Sequence, residues 1–132
     1  MSYKYVIDSY AWIEYFRGTR AGVKARRYIE EENSATPTIL IAELSRKLLR
    51  EIEARRETPE GRRVRLKFIR ASTLIVNLTE DIAILAGKIN VEGRGWGLAD
   101  SIILATARKS KAKVVTGDEH FRDLVEEIIM IE

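Results

Sequence analysis

The sequence predicts an α/β protein with a central, mostly parallel sheet, and three observations carry that expectation. Short, almost wholly apolar runs alternate with amphipathic helical stretches along all 132 residues. That is the pattern of a sheet buried under helices on both faces and joined by right-handed crossovers. Two of the apolar runs end directly in or just before an acid, YKYVIDSY at Asp8 and KVVTGDEHF at Asp118, and the carboxyl ends of parallel strands are where open α/β sheets place ligands.

Tyr3 to Ile7 reads as the first strand and Tyr10 to Phe16 as a short helix stopping near Gly18. Ala21 to Glu32 is a second helix with Val23, Tyr28 and Ile29 turned inward, and Ser34 to Pro37 a short strand. From Thr38 to Arg55 the residues Ile39, Leu40, Leu44, Leu48, Leu49 and Ile52 recur at helical spacing and form one apolar stripe. Thr58, Pro59 and Gly61 break it, and a basic helix follows to about Arg70. Thr73 to Val76 is a strand, after which Thr79 is placed to cap a helix with Ile82, Leu85, Ala86 and Ile89 inward. Gly93, Gly95 and Gly97 make a loop, Leu98 to Lys109 a helix and Lys113 to Thr116 a strand. Asp118 to Glu126 forms a turn and short helix before a last strand, Ile128 to Ile131. No repeat, low-complexity tract or linker interrupts this order, so residues 1–132 are expected to form one domain.

Composition removes several chemistries. Cys is absent and His120 is the single histidine, which excludes disulfide scaffolds, thiolate or imidazole zinc sites and cysteine nucleophiles. The N-terminus has no apolar signal region and no stretch is long and apolar enough to span a bilayer, so a cytoplasmic protein is expected. Net charge is only +3, but residues 46–70 hold ten Lys or Arg against four Glu. Such a segment suits a polyanionic partner, and it equally suits a solvated, salt-bridged helix pair.

Four acids stand beside apolar stretches: Asp8, Glu43 in TILIAELSRK, Asp100 in GLADSIILATA and Asp118. Carboxylates gathered in one crevice repel one another unless a cation joins them, and a site of hard oxygen ligands suits Mg²⁺ or Mn²⁺. Each acid also has an ordinary role open to it. Asp8 and Asp118 can cap the turns that follow them, and Glu43 can pair with Lys47 one turn on. Asp100 is harder to place on a surface, because Ile103 and Leu104 put it on or beside a packed face. Ser9 and Thr116 can serve as turn residues or as hydroxyl donors that orient Asp8 and Asp118. His120 is expected to pack or cap rather than to catalyse.

In order and context, VIDS, AEL, LADSIILATA and VVTGDEHF resemble the motifs of the PIN-domain ribonucleases, across the whole chain. The length and the basic helical hairpin are most similar to the VapC-like toxins of toxin-antitoxin pairs. The resemblance implies a three-layer α/β/α sandwich, an Mg²⁺ or Mn²⁺ cofactor, and Asp8, Glu43, Asp100 and Asp118 as the acidic site, with Asp8, Asp100 and Asp118 as direct ligands. It further implies an RNA substrate, a cognate antitoxin that silences the site and a homodimer. Phosphate contacts are expected from Arg62, Arg63 and Arg65 on the basic helix and from Arg94 in the glycine loop, where Trp96 either stacks on a base or covers the core edge or a dimer contact. Tyr10, Trp12, Tyr15 and Phe16 read as core or dimer packing. A haloacid-dehalogenase-type phosphotransferase would need an acid where Tyr10 stands. A PIN-like RNA-processing nuclease and a non-catalytic RNA-binding module of the same fold remain alternatives.

Overall fold

The structure is a computed structural model that describes residues 2–93 and 95–132. Five parallel strands form one sheet in the order β3-β2-β1-β4-β5: β1 Tyr5–Ile7, β2 Ser34–Pro37, β3 Leu74–Val76, β4 Lys113–Thr116 and β5 Ile128–Met130. Six helices cover it: α1 Ser9–Arg17, α2 Arg20–Glu30, α3 Thr38–Glu53, α4 Pro59–Ser72, α5 Glu80–Glu92 and α6 Leu98–Lys109. A 3₁₀ turn, Glu119–Phe121, leads from β4 towards β5. The result is the three-layer α/β/α sandwich.

Alternation along the strands divides the core in two. Val6 and Val114 face one side, packed with Ile82, Ala86 and Ile89 of α5 and Ile103 and Leu104 of α6. Ile7 and Val115 face the other, with Trp12 of α1, Ile29 of α2 and Ile69 of α4. Helix α3 serves both, giving Leu40 to the first cluster and Leu44 to the second.

Two inward assignments fail for geometric reasons. Val23 is 56% exposed because α2 buries the face carrying Ala21, Gly22, Ala25 and Ile29 instead. There α1 passes so close that a Cβ on Gly22 would lie 2.0 Å from the Glu14 carbonyl oxygen, so only glycine fits at that position. Leu49 is 48% exposed, one residue and about 100° round the helix from buried Leu48. Thr79 stands at the N-cap of α5 without capping it, since its hydroxyl bonds to Asp81, whose Oδ1 accepts the Ile82 N–H at 2.9 Å.

The connections run outward from β1 to β2 and β3, then return across the sheet to β4 on the other side of β1. Strand order therefore reverses between β1 and β4, and the crevice at their carboxyl ends is the topological switch point. Among the described residues no helix is long and apolar enough to cross a membrane.

Candidate active site

Asp8 leaves β1 at that crevice, and its backbone N–H still bonds Val115 O of β4 at 3.1 Å. The side chain is buried, at 4% exposure. Its Oδ1 accepts the Ser9 backbone N–H at 2.7 Å, opening α1, and its Oδ2 accepts the Thr116 hydroxyl at 2.7 Å. Burial pushes its carboxyl up to about 6. The two hydrogen bonds hold the rise back, and the charges of Asp118 and Asp100 add to it. Asp8 is thus both the cap predicted for α1 and a carboxylate held in an electronegative crevice.

Thr116 links this acid to the next. Its Oγ1 also accepts the Asp118 N–H at 2.9 Å, so one hydroxyl at the end of β4 orients both segments. The orienting bond from Ser9 comes through its backbone N–H. Between Thr116 and Asp118, Gly117 lies under the Tyr10 ring so closely that a Cβ would sit 2.2 Å from a ring carbon. A side chain there would displace the ring or the loop.

Asp118 caps the 3₁₀ turn, accepting the His120 N–H at 2.9 Å. Asp100, in the first turn of α6, meets the same histidine: its Oδ2 lies 2.9 Å from His120 Nδ1, and Asp118 Oδ1 lies 3.6 Å from that nitrogen. One ligand atom each from Asp100, Asp118 and His120 fall within 4.8 Å of one another. Asp8 adjoins this group through Thr116 and is not part of it. Glu43, half-buried on α3, has its carboxyl pushed up by burial. Lys47 opposes the rise, and the charges of Asp100 and Asp118 add to it. Asp8 and Glu43 thus both feel the charges of Asp100 and Asp118.

His120 is the residue that sequence reasoning misplaced. Rather than packing, its ring is 57% exposed and bonded to Asp100, and the two aspartates raise its pKa. A signal was present: the DEH triplet puts it two residues from a strand-end acid, but nothing local announces that α6 brings Asp100 there.

Among the described residues, the basic side chains of α4 form no ion pair with the four acids. Arg62 Nη2 donates to Ser45 Oγ at 2.5 Å, and Arg63 pairs with Glu60. Arg65 pairs with Glu57 at 2.6 Å, its guanidinium 5.1 Å from the centre of the Phe16 ring. Arg94 lies outside the described residues. Trp96 packs on Phe121 with ring centres 5.3 Å apart and joins the core edge. Trp12, Tyr15 and Phe16 form an aromatic cluster with Phe68, as a packing role predicts.

The family model of the PIN domain matches residues 5–127, and the chain belongs to that family. No curated protein matches the sequence. Among solved structures, a toxin-antitoxin complex from Klebsiella pneumoniae is 22% identical with a TM-score of 0.75, covering 98% of each chain. DNA-bound VapBC from Salmonella typhimurium is 17% identical with a TM-score of 0.78 over 100% of both chains. VapC20 of Mycobacterium tuberculosis, a Sarcin-Ricin loop cleaving toxin, is 18% identical with a TM-score of 0.69, covering 92% of this chain and 95% of that one. At these identities what is shared is the fold.

Proposed function

We propose that the protein is a divalent-metal-dependent endoribonuclease, the toxin of a toxin-antitoxin pair, with residues 1–132 acting as one nuclease unit. The observation that carries the reading is the meeting of Asp100, Asp118 and His120 beside Asp8 at the switch point of a PIN sheet. The donor set fits a hard cation such as Mg²⁺ or Mn²⁺. It is carboxylate-rich, and Asp8 and Glu43 beside it have carboxyls pushed up by burial and by the charges of Asp100 and Asp118, so a positive charge there removes repulsion. The imidazole suits Mn²⁺ better than Mg²⁺.

Asp100 and Asp118 would hold the ion, with His120 or Asp8 completing the set, since each Asp8 oxygen keeps a further lone pair. When bound, the ion polarises a phosphoryl oxygen and lowers the pKa of water. Thr116 fixes the Asp8 carboxylate and the Asp118 backbone in one geometry, so the acids need not reorganise as charge develops. Glu43, its carboxyl pushed up by burial, would orient the attacking water and accept its proton. Attack by water leaves a 5′-phosphate and a 3′-hydroxyl. The basic residues Arg62, Arg63, Arg65 and Arg94 would meet the RNA backbone.

The toxin assignment draws support from the VapBC complexes that share the fold. It implies an antitoxin as partner, and with it a cytoplasmic homodimer. The test is cleavage of single-stranded RNA oligomers in Mg²⁺, Mn²⁺, Ca²⁺ and chelator. Cleavage in Mg²⁺ or Mn²⁺, stopped by chelator and not restored by Ca²⁺, is expected. Metal-free cleavage or 2′,3′-cyclic phosphate ends would overturn it.

A further inference from the structure

The sheet register sets a basic concavity beside the acidic cluster. Tyr5 pairs with Ser34 and Val6 with Ala35, while Ala35, Thr36 and Pro37 pair with Leu74, Ile75 and Val76. Continued by two residues, this register puts Asp8 level with Pro37 and so with Val76. The chain therefore leaves the sheet at Thr38 and Asn77 one residue beyond the level of Asp8. The β3 end lies two strand spacings from Asp8, about 10 Å. There a groove of about 820 Å³ opens between the start of α3, α4 and the end of β3.

Three features of this groove point the same way. Ile41, Leu66 and Ile75 give it apolar lining, and its volume is that of a small-molecule site. Arg62, Arg63, Lys67 and Arg70 also line it, against a single lining acid, Glu60, which Arg63 takes up. Lys67 and Arg70 are exposed and form no ion pair among the described residues, and Arg62 keeps a buried Nε without a partner. At the lip, the Thr38 hydroxyl is shared between Val76 O at 2.9 Å and Asn77 Oδ1 at 3.1 Å. The Asn77 amide is thus oriented with its oxygen engaged and its N–H donors left for a ligand.

We propose that this groove is the subsite for an unpaired nucleotide of the RNA strand, adjoining the phosphodiester that lies over Asp8, Asp100 and Asp118. The base rests on Ile41, Leu66 and Ile75, a phosphate meets Lys67 and Arg70, and Asn77 reads the base edge. A flat ring, a flanking anion and a hydrogen-bonding edge occur together in a nucleotide. The Thr38 and Asn77 lip stands one residue beyond the level of Asp8 in the sheet, so a strand crossing the acids would enter the groove at that lip. The inference rests on the ribonuclease reading.

The test compares the wild type with the double variant Lys67→Glu/Arg70→Glu and with Asn77→Ala, all at exposed positions, folding being checked by circular dichroism. Two single-stranded RNAs share one cleavage step: one continues for several nucleotides on both sides of it, and the other is trimmed close to it. The wild type should show a lower KM for the longer RNA. The double variant should raise that KM roughly tenfold or more without changing kcat, and should leave the trimmed RNA unaffected. Asn77→Ala should relax base preference at one neighbouring position. If the wild type cleaves both RNAs and the variants match it, as for a groove that holds a protein segment, the subsite is overturned and the ribonuclease reading stands. If the wild type cleaves neither, both fall.

Discussion

The acidic crevice and helix α4 use charge in opposite ways. On α4 the carboxylates are answered locally, Glu60 by Arg63 and, just before the helix, Glu57 by Arg65. The exposed Arg63–Glu60 pair contributes roughly 0–1 kcal/mol, while the Glu57 side chain is only 12% exposed. In the crevice, Asp8, Asp100 and Asp118 arrive from three distant segments, and the ion-pair partner of the last two among the described residues is His120, charged only when protonated. Charge paired within a turn belongs to a solvated surface. Like charge brought together by tertiary structure opposes folding, so the crevice costs stability that locally paired charge does not.

The contrast breaks most sharply at Asp100. Asp100→Asn should lower the cleavage rate by about a hundredfold or more while the metal-free protein stays as stable or gains stability, because a like charge is removed. Cleavage rates and melting in chelator check both halves. A variant that melts well below wild type yet still cleaves would make Asp100 a scaffold residue.

Asp8 should show the repulsion and burial as pH dependence. Burial pushes its carboxyl from the ordinary 3.8 up to about 6, so the folded state binds the proton more tightly than the unfolded chain does. That contribution to stability is fully present below about pH 4 and is lost as pH rises through 6, about 3 kcal/mol in all. Urea unfolding of the metal-free protein from pH 4 to 7, wild type minus Asp8→Asn, should isolate this slope, and a flat difference would remove Asp8 from the contrast. Saturation with metal should act similarly in size and opposite in sense. Mn²⁺ at about one hundred times its Kd should stabilise the wild type by ~2.7 kcal/mol, and Asp118→Asn much less. Equal shifts in thermal melts of the two would place the ion elsewhere. The smallest effect belongs to α4, where Arg63→Ala should change stability by no more than ~0.5 kcal/mol in the same unfolding assay.

Much of the crevice was legible because strand ends are local features. VID and VVTGD each announce an apolar strand followed by an acid, and the sheet places both acids at its carboxyl edge. The helix α6 likewise showed Asp100 beside a packed face, with Ile103 and Leu104 buried as expected. His120 was not legible, since its partner Asp100 is twenty residues earlier on another element. The basic segment showed its charge but not its wiring: the i+3 pair of Arg63 with Glu60 follows from helical spacing, whereas the bond from Arg62 to Ser45 of α3 depends on how α3 and α4 pack.

By itself, the sequence determined the α/β class, the order of elements and which acids stand at strand ends, because hydrophobic periodicity and turn chemistry act within a few residues of their cause. Tertiary structure alone decided the rest. The return of the chain from β3 to β4 created the switch point between Asp8 and Asp118, and the close contact of α1 with α2 turned Val23 outward. The crossing of α3 beneath both cores set Glu43 at the edge of the crevice. Each of these depends on contacts between segments far apart in the chain, whose geometry follows from packing rather than from any local pattern.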